Sequence, residues 1–243
     1  MAEETEEEID YETFPDDHPI HDLSFKLIVV GDSGVGKSCL TMKATKDIFE
    51  NDYSPTIGFE FYTFIIKIKE KIIRLQIWDT CGQEVYRSLI NGFYRNSSLA
   101  ILLYGINNIK SFQNLELWLN DIKNNSNPDI KIFLVGNKKD LEEKREVPID
   151  KAKTFYKEHN LNYFIETSAK TGFNVKKLLI RAANVLYEES KKLELQMSIN
   201  KSINENKNNN NTNNNNNIKL PQEDDIDVDL NDKTTERKRK KCC

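Results

Sequence analysis

The chain has 243 residues, of which 38% are hydrophobic and 30% are charged, and its formal net charge at pH 7 is −4. This length allows one or two domains, and no run of about 18 apolar residues is present that could span a membrane as a helix. Its four cysteines are too few and too unevenly spaced for a disulfide framework, which favours a reducing compartment. No N-terminal apolar segment resembles a secretion signal, so we expect synthesis in the cytosol.

The two ends of the chain differ in composition from its middle. Residues 1–23 contain ten acidic side chains and no Lys or Arg, and such a run is predicted to remain a disordered acidic arm. Residues 196–243 include an asparagine tract at 207–217 and are predicted to form a disordered tail with a basic end. The remainder, residues 24–195, is long enough for one domain with its own core.

The first motif is a glycine-rich stretch, residues 31–38, with the spacing G-x-x-x-x-G-K-S. It lies between a strand-like apolar run at 25–30 and a segment predicted to be helical at 39–48. Glycines let the backbone wrap around an anion, and the start of a helix adds its positive end. Lys37 is predicted to reach the β- and γ-phosphates, and the Ser38 hydroxyl is predicted to bind Mg²⁺.

A glycine-rich turn that meets this pattern by chance is the alternative, but a strand before the turn and a helix after it disfavour that interpretation. The stretch is therefore predicted to hold the phosphates of a nucleotide. The residues assigned to these contacts are Ser33, Gly34, Val35, Gly36, Lys37, Ser38 and Cys39.

Residues 60–68 and 72–78 are predicted to be two strands of an antiparallel hairpin, joined by the polar residues 69–71. The second strand ends in Asp79, a carboxylate suited to holding Mg²⁺ through water. Gly82 would let a backbone N–H approach the γ-phosphate, and Gln83 could orient an attacking water. Alone this stretch could be an ordinary turn at a strand end, but after a phosphate loop the catalytic interpretation is favoured.

The next elements alternate between strands and helices. Strands are predicted at 99–106, 130–136 and 162–170, and amphipathic helices at 109–124, 149–159 and 174–195. This alternation predicts an α/β fold, with a mostly parallel six-stranded sheet, one antiparallel edge strand and helices on both faces. Ligands of such sheets lie at the carboxyl ends of the strands, where all the motif residues fall.

The sequence Asn137-Lys138-Lys139-Asp140 follows one of these buried strands. A side-chain amide and a carboxylate three residues apart can grip the edge of a base. Asp140 would accept hydrogen bonds from the N1–H and the exocyclic amine of guanine, whereas adenine offers no such pair of donors. An isolated N-x-x-D is a common loop sequence, but its position downstream of both phosphate motifs favours a base site. Backbone N–H groups that could bind the base carbonyl are predicted at Ser168, Ala169 and Lys170.

The motifs GDSGVGKS, WDTCGQE, NKKD and ETSAK occur together in this order, and over about residues 25–195 the chain resembles the small GTPases of the Ras superfamily. Residues 57–61, residues 75–78 and the terminal cysteine pair most resemble the Rab branch. The resemblance implies a P-loop G domain that binds GTP or GDP with Mg²⁺ and hydrolyses GTP slowly unless an activating protein stimulates it.

The resemblance also implies roles for further residues. Thr56 would bind Mg²⁺ through its hydroxyl and the γ-phosphate through its N–H, Phe49 would stack on the guanine, and Tyr53 would lie over the phosphates. Gln83 and Lys37 would be catalytic. Loss of the γ-phosphate would release the loops that contain Thr56 and Gly82, which makes the molecule a switch.

Cys81 stands where the family usually has alanine, beside the expected position of the γ-phosphate. This difference leaves open a second hypothesis, a GTP-binding scaffold with very slow hydrolysis. A third, an ATP-using P-loop enzyme, is disfavoured by Asn137 and Asp140.

The chain ends in Cys242 and Cys243 after the basic residues 237–241. A basic solvated tail with incidental cysteines, or a nuclear-localisation-like run, is the alternative to lipidation. The resemblance implies geranylgeranylation of both cysteines by an escort-dependent route, because the end is not a C-a-a-X box. Two lipids anchor stably, and basic residues add about 1 kcal/mol each on an anionic membrane.

These expectations together describe a monomeric switch in vesicle traffic. It would be lipid-anchored at the cytosolic face of intracellular or plasma membranes, with a soluble cytosolic pool. Its expected partners are an exchange factor, a GTPase-activating protein, an escort protein, a dissociation inhibitor and effector proteins recruited in the GTP state. No nucleic acid partner is expected.

Overall fold

A computed structural model of the chain describes residues 9–50, 58–80 and 92–212, with side chains as far as residue 201. The chain forms two compact units, Met1–Leu195 and Gln196–Cys243. The sheet and the motif residues that the structure describes all lie in the first unit.

The described residues of the first unit contain a seven-stranded sheet. Its strands are β1 (Tyr11–Phe14), β2 (Leu23–Val30), β3 (Phe59–Ile68), β4 (Lys71–Thr80), β5 (Leu99–Gly105), β6 (Lys131–Asn137) and β7 (Tyr163–Glu166). Their order across the sheet is β1-β3-β4-β2-β5-β6-β7. The pairs β4 with β2, β2 with β5, β5 with β6 and β6 with β7 are parallel. The mostly parallel α/β fold predicted from the sequence is confirmed, with seven strands in place of six.

The additional strand is β1, which pairs antiparallel with β3 between Tyr11↔Ile68 and Phe14↔Ile65. The predicted disordered arm at 1–23 therefore does not hold for Tyr11–Phe14, and β3 is not the edge strand along this part. Tyr11, Thr13 and Phe14 favour strands, and this local preference was hidden by the acidic composition around them. Ile65, which pairs with Phe14 of β1, is 0% exposed.

Helices cover both faces of the sheet, as predicted. They are α1 (Lys37–Lys46), α2 (Ile109–Gln113), α3 (Leu115–Asn125), α4 (Ile149–Glu158) and α5 (Val175–Thr212), with a 3₁₀ turn at Lys139–Lys144. One core includes side chains of α1 and α5, and the other those of α2, α3 and α4. Within β5, Leu99, Ile101 and Leu103 belong to the first core and Ala100, Leu102 and Tyr104 to the second, as expected for a strand buried on both faces.

Two helices differ from the sequence prediction. The single helix expected at 109–124 is interrupted at Asn114, which ends α2 and begins α3. Helix α5 continues to Thr212 instead of ending near residue 195, so residues 196–212 are helical and not part of a disordered tail. No Gly or Pro occurs between residues 173 and 220, so no strong helix-stop signal lies there. Within residues 9–50, 58–80 and 92–212, no helix has both the length and the apolar character needed to cross a membrane.

Candidate nucleotide site

Nine of the residues predicted to bind nucleotide line one cavity beside the ends of β2, β6 and β7. The cavity has a volume of about 420 Å³. It is lined by the phosphate loop, by the segment after β6 and by the segment after β7. The lining residues are Gly34, Gly36, Cys39, Phe49, Glu50, Asn137, Lys138, Asp140, Leu141, Ala169 and Lys170.

Two glycines of the phosphate loop have no room for a side chain. A Cβ on Gly31 would lie 2.2 Å from the backbone oxygen of Leu103, so the loop begins directly against β5. Gly36 has φ +94° and its Cβ would lie 2.6 Å from Asn137 Nδ2. Gly36 is also the N-cap of α1 and offers no side-chain cap to the helix. Because no side chain caps the first N–H groups of α1, these groups can donate to an anion held in the loop, which is the arrangement that binds phosphate.

Lys37 is buried at the start of α1, with 5% of its surface exposed. Its Nζ donates hydrogen bonds to the backbone oxygens of Gly31 and Asp32, both at 2.9 Å. These bonds place the ammonium group across the concave side of the loop. A buried cation held by carbonyl oxygens and surrounded by N–H groups can bind an anion strongly.

Ser38 and Asp79 meet at the far end of the loop, where Ser38 Oγ donates to Asp79 Oδ2 at 2.5 Å. Asp79 is 0% exposed, and within the described residues its Oδ1 is buried without a hydrogen-bond partner. Burial raises the pKa of Asp79 to about 6, although the Ser38 hydroxyl and Lys37 oppose the shift. A carboxylate oxygen left unsatisfied beside a hydroxyl is suited to a hard divalent cation.

This pair fits the Mg²⁺ predicted from the sequence. The part of the chain that the structure describes holds no group of three or more His, Cys, Asp or Glu side chains that could bind a metal ion. Mg²⁺ in nucleotide sites commonly uses one or two protein ligands and takes the others from phosphates and water, so a donor set of this size is compatible with Mg²⁺.

Asn137, the last residue of β6, joins the two sides of the cavity. Its Nδ2 donates to the backbone oxygens of Val35 at 3.0 Å and Gly36 at 3.4 Å. Its Oδ1 accepts from Thr167 Oγ1 and from the Ala169 N–H, both at 3.2 Å. The sequence predicted that Asn137 would grip the base and that the Ala169 N–H would face the base carbonyl. In the structure, the Asn137 side chain and the Ala169 N–H instead connect the phosphate loop to the segment after β7.

Lys138 and Asp140 lie on the base side of the cavity. Lys138 has φ +69°, and its Nζ donates to the Gly34 backbone oxygen at 2.5 Å. Burial lowers the pKa of Lys138. Asp140 is exposed, and its Oδ1 accepts from Ser168 Oγ at 2.6 Å. The bond to Ser168 holds one carboxylate oxygen and so fixes the direction of the carboxylate, which suits Asp140 to the base-recognition role predicted for it.

An ion-pair network that the sequence did not predict supports this side of the cavity. Glu166 ends β7 and is 7% exposed. Arg145 Nη1 and Nη2 donate to its two carboxylate oxygens at 2.7 and 2.9 Å, and Lys139 Nζ lies 3.0 Å away. Arg145 also binds Glu142, which with Glu166 raises the pKa of Arg145. Glu166 is the first residue of the ETSAK motif, and its place in that motif was the one feature of the sequence that pointed to this network.

Two further predicted residues lie at the edge of the cavity. Phe49 lines it and is partly buried against the first core, a position from which its ring can contact a base. Cys39 also lines it, and burial raises the pKa of its thiol. Tyr53, Thr56, Cys81, Gly82, Gln83, Cys242 and Cys243 lie outside the described residues.

Comparison with known proteins gives one family. The family model described as the Ras family matches residues 26–188, which is more than half of the chain. The matched range includes the phosphate loop, Asp79 and the segments that follow β6 and β7.

Proposed function

This chain belongs to the Ras family, so it is a GTP-binding small GTPase that acts as a switch and hydrolyses GTP, and we propose that it is a membrane-anchored switch of the Rab type in vesicle traffic. Its GTP-bound form would recruit effectors to the cytosolic face of a membrane, and an exchange factor and an activating protein would set its state. It would act as a monomer.

The observation that carries the proposal is a cluster of four aromatic rings, Phe59, Phe61, Trp78 and Phe93. Phe59 lies 4.4 Å from Phe93 and 5.4 Å from Trp78 between ring centroids, and Phe61 lies 5.3 Å from Trp78. Phe59 and Phe61 are 49% and 50% exposed. Exposed aromatic rings grouped in this way are typical of protein interaction sites.

The position of this aromatic cluster suits a surface at which a partner distinguishes the GTP-bound from the GDP-bound form. Phe59 begins β3, immediately after residues 51–57, and Trp78 lies near the end of β4, immediately before residues 81–91. Those two segments contain Thr56, Gly82 and Gln83, the residues expected to respond to the γ-phosphate. A partner seated on the cluster would contact residues that border both segments in the sequence, which supports the proposal that effectors are recruited in the GTP state.

We expect the chain's own groups to act on GTP as follows. Lys37 and the N–H groups at the start of α1 bind and orient the phosphates, and Asp140 selects guanine. Ser38 and Asp79 would hold Mg²⁺, with Thr56 as the further expected ligand, and the ion would supply positive charge that stabilises the bound phosphates. Gln83 would orient the attacking water.

Cellular depletion and rescue test the traffic role. Depleted cells receive the full-length wild type, a Cys242→Ser/Cys243→Ser variant or a Phe59→Ala/Phe61→Ala variant, and secretion and fluid-phase uptake are measured with the membrane fraction of each protein. Of these three forms we expect only the wild type to rescue, with the cysteine variant soluble and the aromatic variant still on membranes. Leu117→Ala on α3, where Leu117 is 51% exposed, is the matched control and should rescue. Full rescue by the cysteine variant would contradict the proposal.

The second candidate is a GTP-binding scaffold that hydrolyses GTP very slowly, and Cys81 is the observation that favours it. Single-turnover GTP hydrolysis of wild type and Cys81→Ala, each with and without an activating protein, separates the two. Equal rates that are both readily stimulated would remove the scaffold hypothesis. A large gain in Cys81→Ala alone would support it.

A further inference from the structure

Asp32, the second residue of the phosphate loop, occupies a position that the G-x-x-x-x-G-K-S pattern leaves unspecified. Its side chain nevertheless makes two hydrogen bonds to residues far along the chain. Asp32 Oδ1 accepts from Trp118 Nε1 and Oδ2 accepts from Asn114 Nδ2, each at 2.8 Å. Both carboxylate oxygens are thus turned toward α3.

The two donors are themselves held in place. Trp118 is 2% exposed and packs in the second core. Asn114 lies at the junction of α2 and α3, where its N–H donates to the Lys110 backbone oxygen at 3.0 Å and its own backbone oxygen accepts from the Trp118 N–H at 3.3 Å. A carboxylate bound to two groups fixed in this way has little freedom to move.

The position of Asp32 also affects Lys37. The Asp32 backbone oxygen is one of the two acceptors that hold Lys37 Nζ, at 2.9 Å. The other acceptor belongs to Gly31, which packs directly on Leu103 of β5. The first half of the loop is therefore attached to β5 through Gly31 and to α3 through Asp32, and the ammonium group of Lys37 lies between these attachments.

We propose that Asp32 is a positioning residue, whose carboxylate, bound by Trp118 and Asn114, holds the phosphate loop in the shape that retains nucleotide. Asp32 does not touch the substrate in this role. A negative charge in an anion-binding loop would by itself repel phosphate. The hydrogen bonds from Trp118 and Asn114 hold the charged carboxylate on the side of the loop that faces α3, where it helps to fix the loop in place.

The proposal and a simple charge effect predict opposite results for Asp32→Asn. If Asp32 acted through its charge alone, removing the charge would slow the release of GDP. If it positions the loop, Asp32→Asn weakens the attachment to α3, because both hydrogen bonds lose the negative charge that strengthens them and the Asn114 amide must rotate to accept from the new amide. We then expect GDP to leave about tenfold faster, which corresponds to about 1.4 kcal/mol.

A donor–acceptor exchange provides the rescue. In the double variant Asp32→Asn/Asn114→Asp, residue 32 donates to the new carboxylate at 114 and still accepts from Trp118, so the bond between positions 32 and 114 is charge-assisted again. Asn114→Asp alone puts two carboxylates together and should release GDP faster than wild type. Asn120→Asp, at an exposed position of the same helix, adds the same charge without a contact to the loop and should leave the rate unchanged.

The experiment uses full-length protein loaded with a fluorescent GDP derivative and Mg²⁺. Release into excess GDP is timed, and the ³¹P resonance of the β-phosphate of bound GDP is recorded for each variant. We expect this resonance to shift in Asp32→Asn and to return in the double variant. Leu186→Ala, which truncates a buried residue of α5 in the first core, controls for general loss of stability and should not shift it.

Trp118→Phe removes the indole N–H together with part of the buried ring, and with Leu186→Ala as the control for lost packing it provides a second route if Asp32→Asn folds poorly. Faster release in Trp118→Phe, and recovery in the double variant, would support the proposal. Slower or unchanged release in Asp32→Asn, or failure of the double variant to recover, would overturn it.

Discussion

The base side and the phosphate side of the cavity are stabilised in different ways. On the base side, Asn137, Asp140 and Glu166 are all hydrogen-bonded within the protein. On the phosphate side, Asp79 keeps a buried carboxylate oxygen that no described residue satisfies. GTP and GDP share the guanine and differ in their phosphates. The base side, which contacts the shared guanine, is stabilised by hydrogen bonds within the protein, whereas the phosphate side needs a bound ligand to satisfy Asp79.

The largest effect is expected from Lys37→Met, which removes the cation from the phosphate side. Loss of a buried charged partner should lower GTP and GDP affinity on the order of a hundredfold, about 3 kcal/mol. The base side should remain intact, so the nucleotide-free protein should unfold at nearly the wild-type urea concentration. Lys43→Met on the same helix, where Lys43 pairs with Asp47, is the matched control. Equal nucleotide affinities in the two variants would contradict the comparison.

A change on the base side should instead reduce stability. Arg145→Met leaves the buried Glu166 with Lys139 as its remaining cation, and we expect the free energy of unfolding to fall by about 3 kcal/mol. Urea unfolding of the nucleotide-free protein measures it. Lys144→Met, one residue away and exposed, should change little, and a similar loss in both variants would argue against a specific network.

Asp140→Asn should alter which base is bound while leaving the fold unchanged. It replaces a charged acceptor with a group that also donates, so GTP should lose about 2 kcal/mol relative to xanthosine triphosphate, a selectivity change of roughly thirtyfold. Competition between the two nucleotides measures this ratio. Glu143→Gln, on the exposed side of the same turn, should keep the wild-type preference, and unchanged selectivity in Asp140→Asn would show that Asp140 does not read the base.

The smallest effect concerns Glu142. Hydrogen bonds from Arg145 and then Lys139 lower the pKa of Glu142 from 4.5 to about 2. A lowered folded-state pKa means that the stabilisation is complete above the ordinary carboxyl pKa and is lost as the pH falls toward 2. Wild type should therefore be slightly more stable than Glu142→Gln at pH 6, and the difference should shrink between about pH 4.5 and 3. Urea midpoints measure it, and a difference that grows in acid would refute the assignment.

The local parts of this site could be predicted from the sequence. The phosphate loop, the aspartate at the end of β4 and the N-x-x-D segment each have residue types and spacing that suit one chemistry, and the alternation of strands and helices places them together. The contacts between these parts could not be predicted. Asn137 binds Val35 across a separation of 102 residues, and no local pattern encodes such a partner.

The errors in the fold have the same origin. Average composition over residues 1–23 predicts solvation, yet four of these residues become a strand because β3 offers them an unpaired edge. The break at Asn114 is another case, because the periodicity of the apolar residues continues across it. Both outcomes depend on tertiary contacts, β1 with β3 and Asn114 with Asp32, that average composition and apolar periodicity do not show.

The short strand β1 has a practical consequence for shortened forms of the protein. A form that began at Leu23 would lack β1, which pairs with Ile65–Ile68. The backbone donors and acceptors of this stretch would then face water, beside the Ile65 side chain, which is fully buried in the full chain. Unpaired apolar edges are templates for association between molecules. Such a form should precipitate more readily than the full chain at equal concentration. Its low solubility would result from the exposed edge of β3 and would not be a property of the intact G domain.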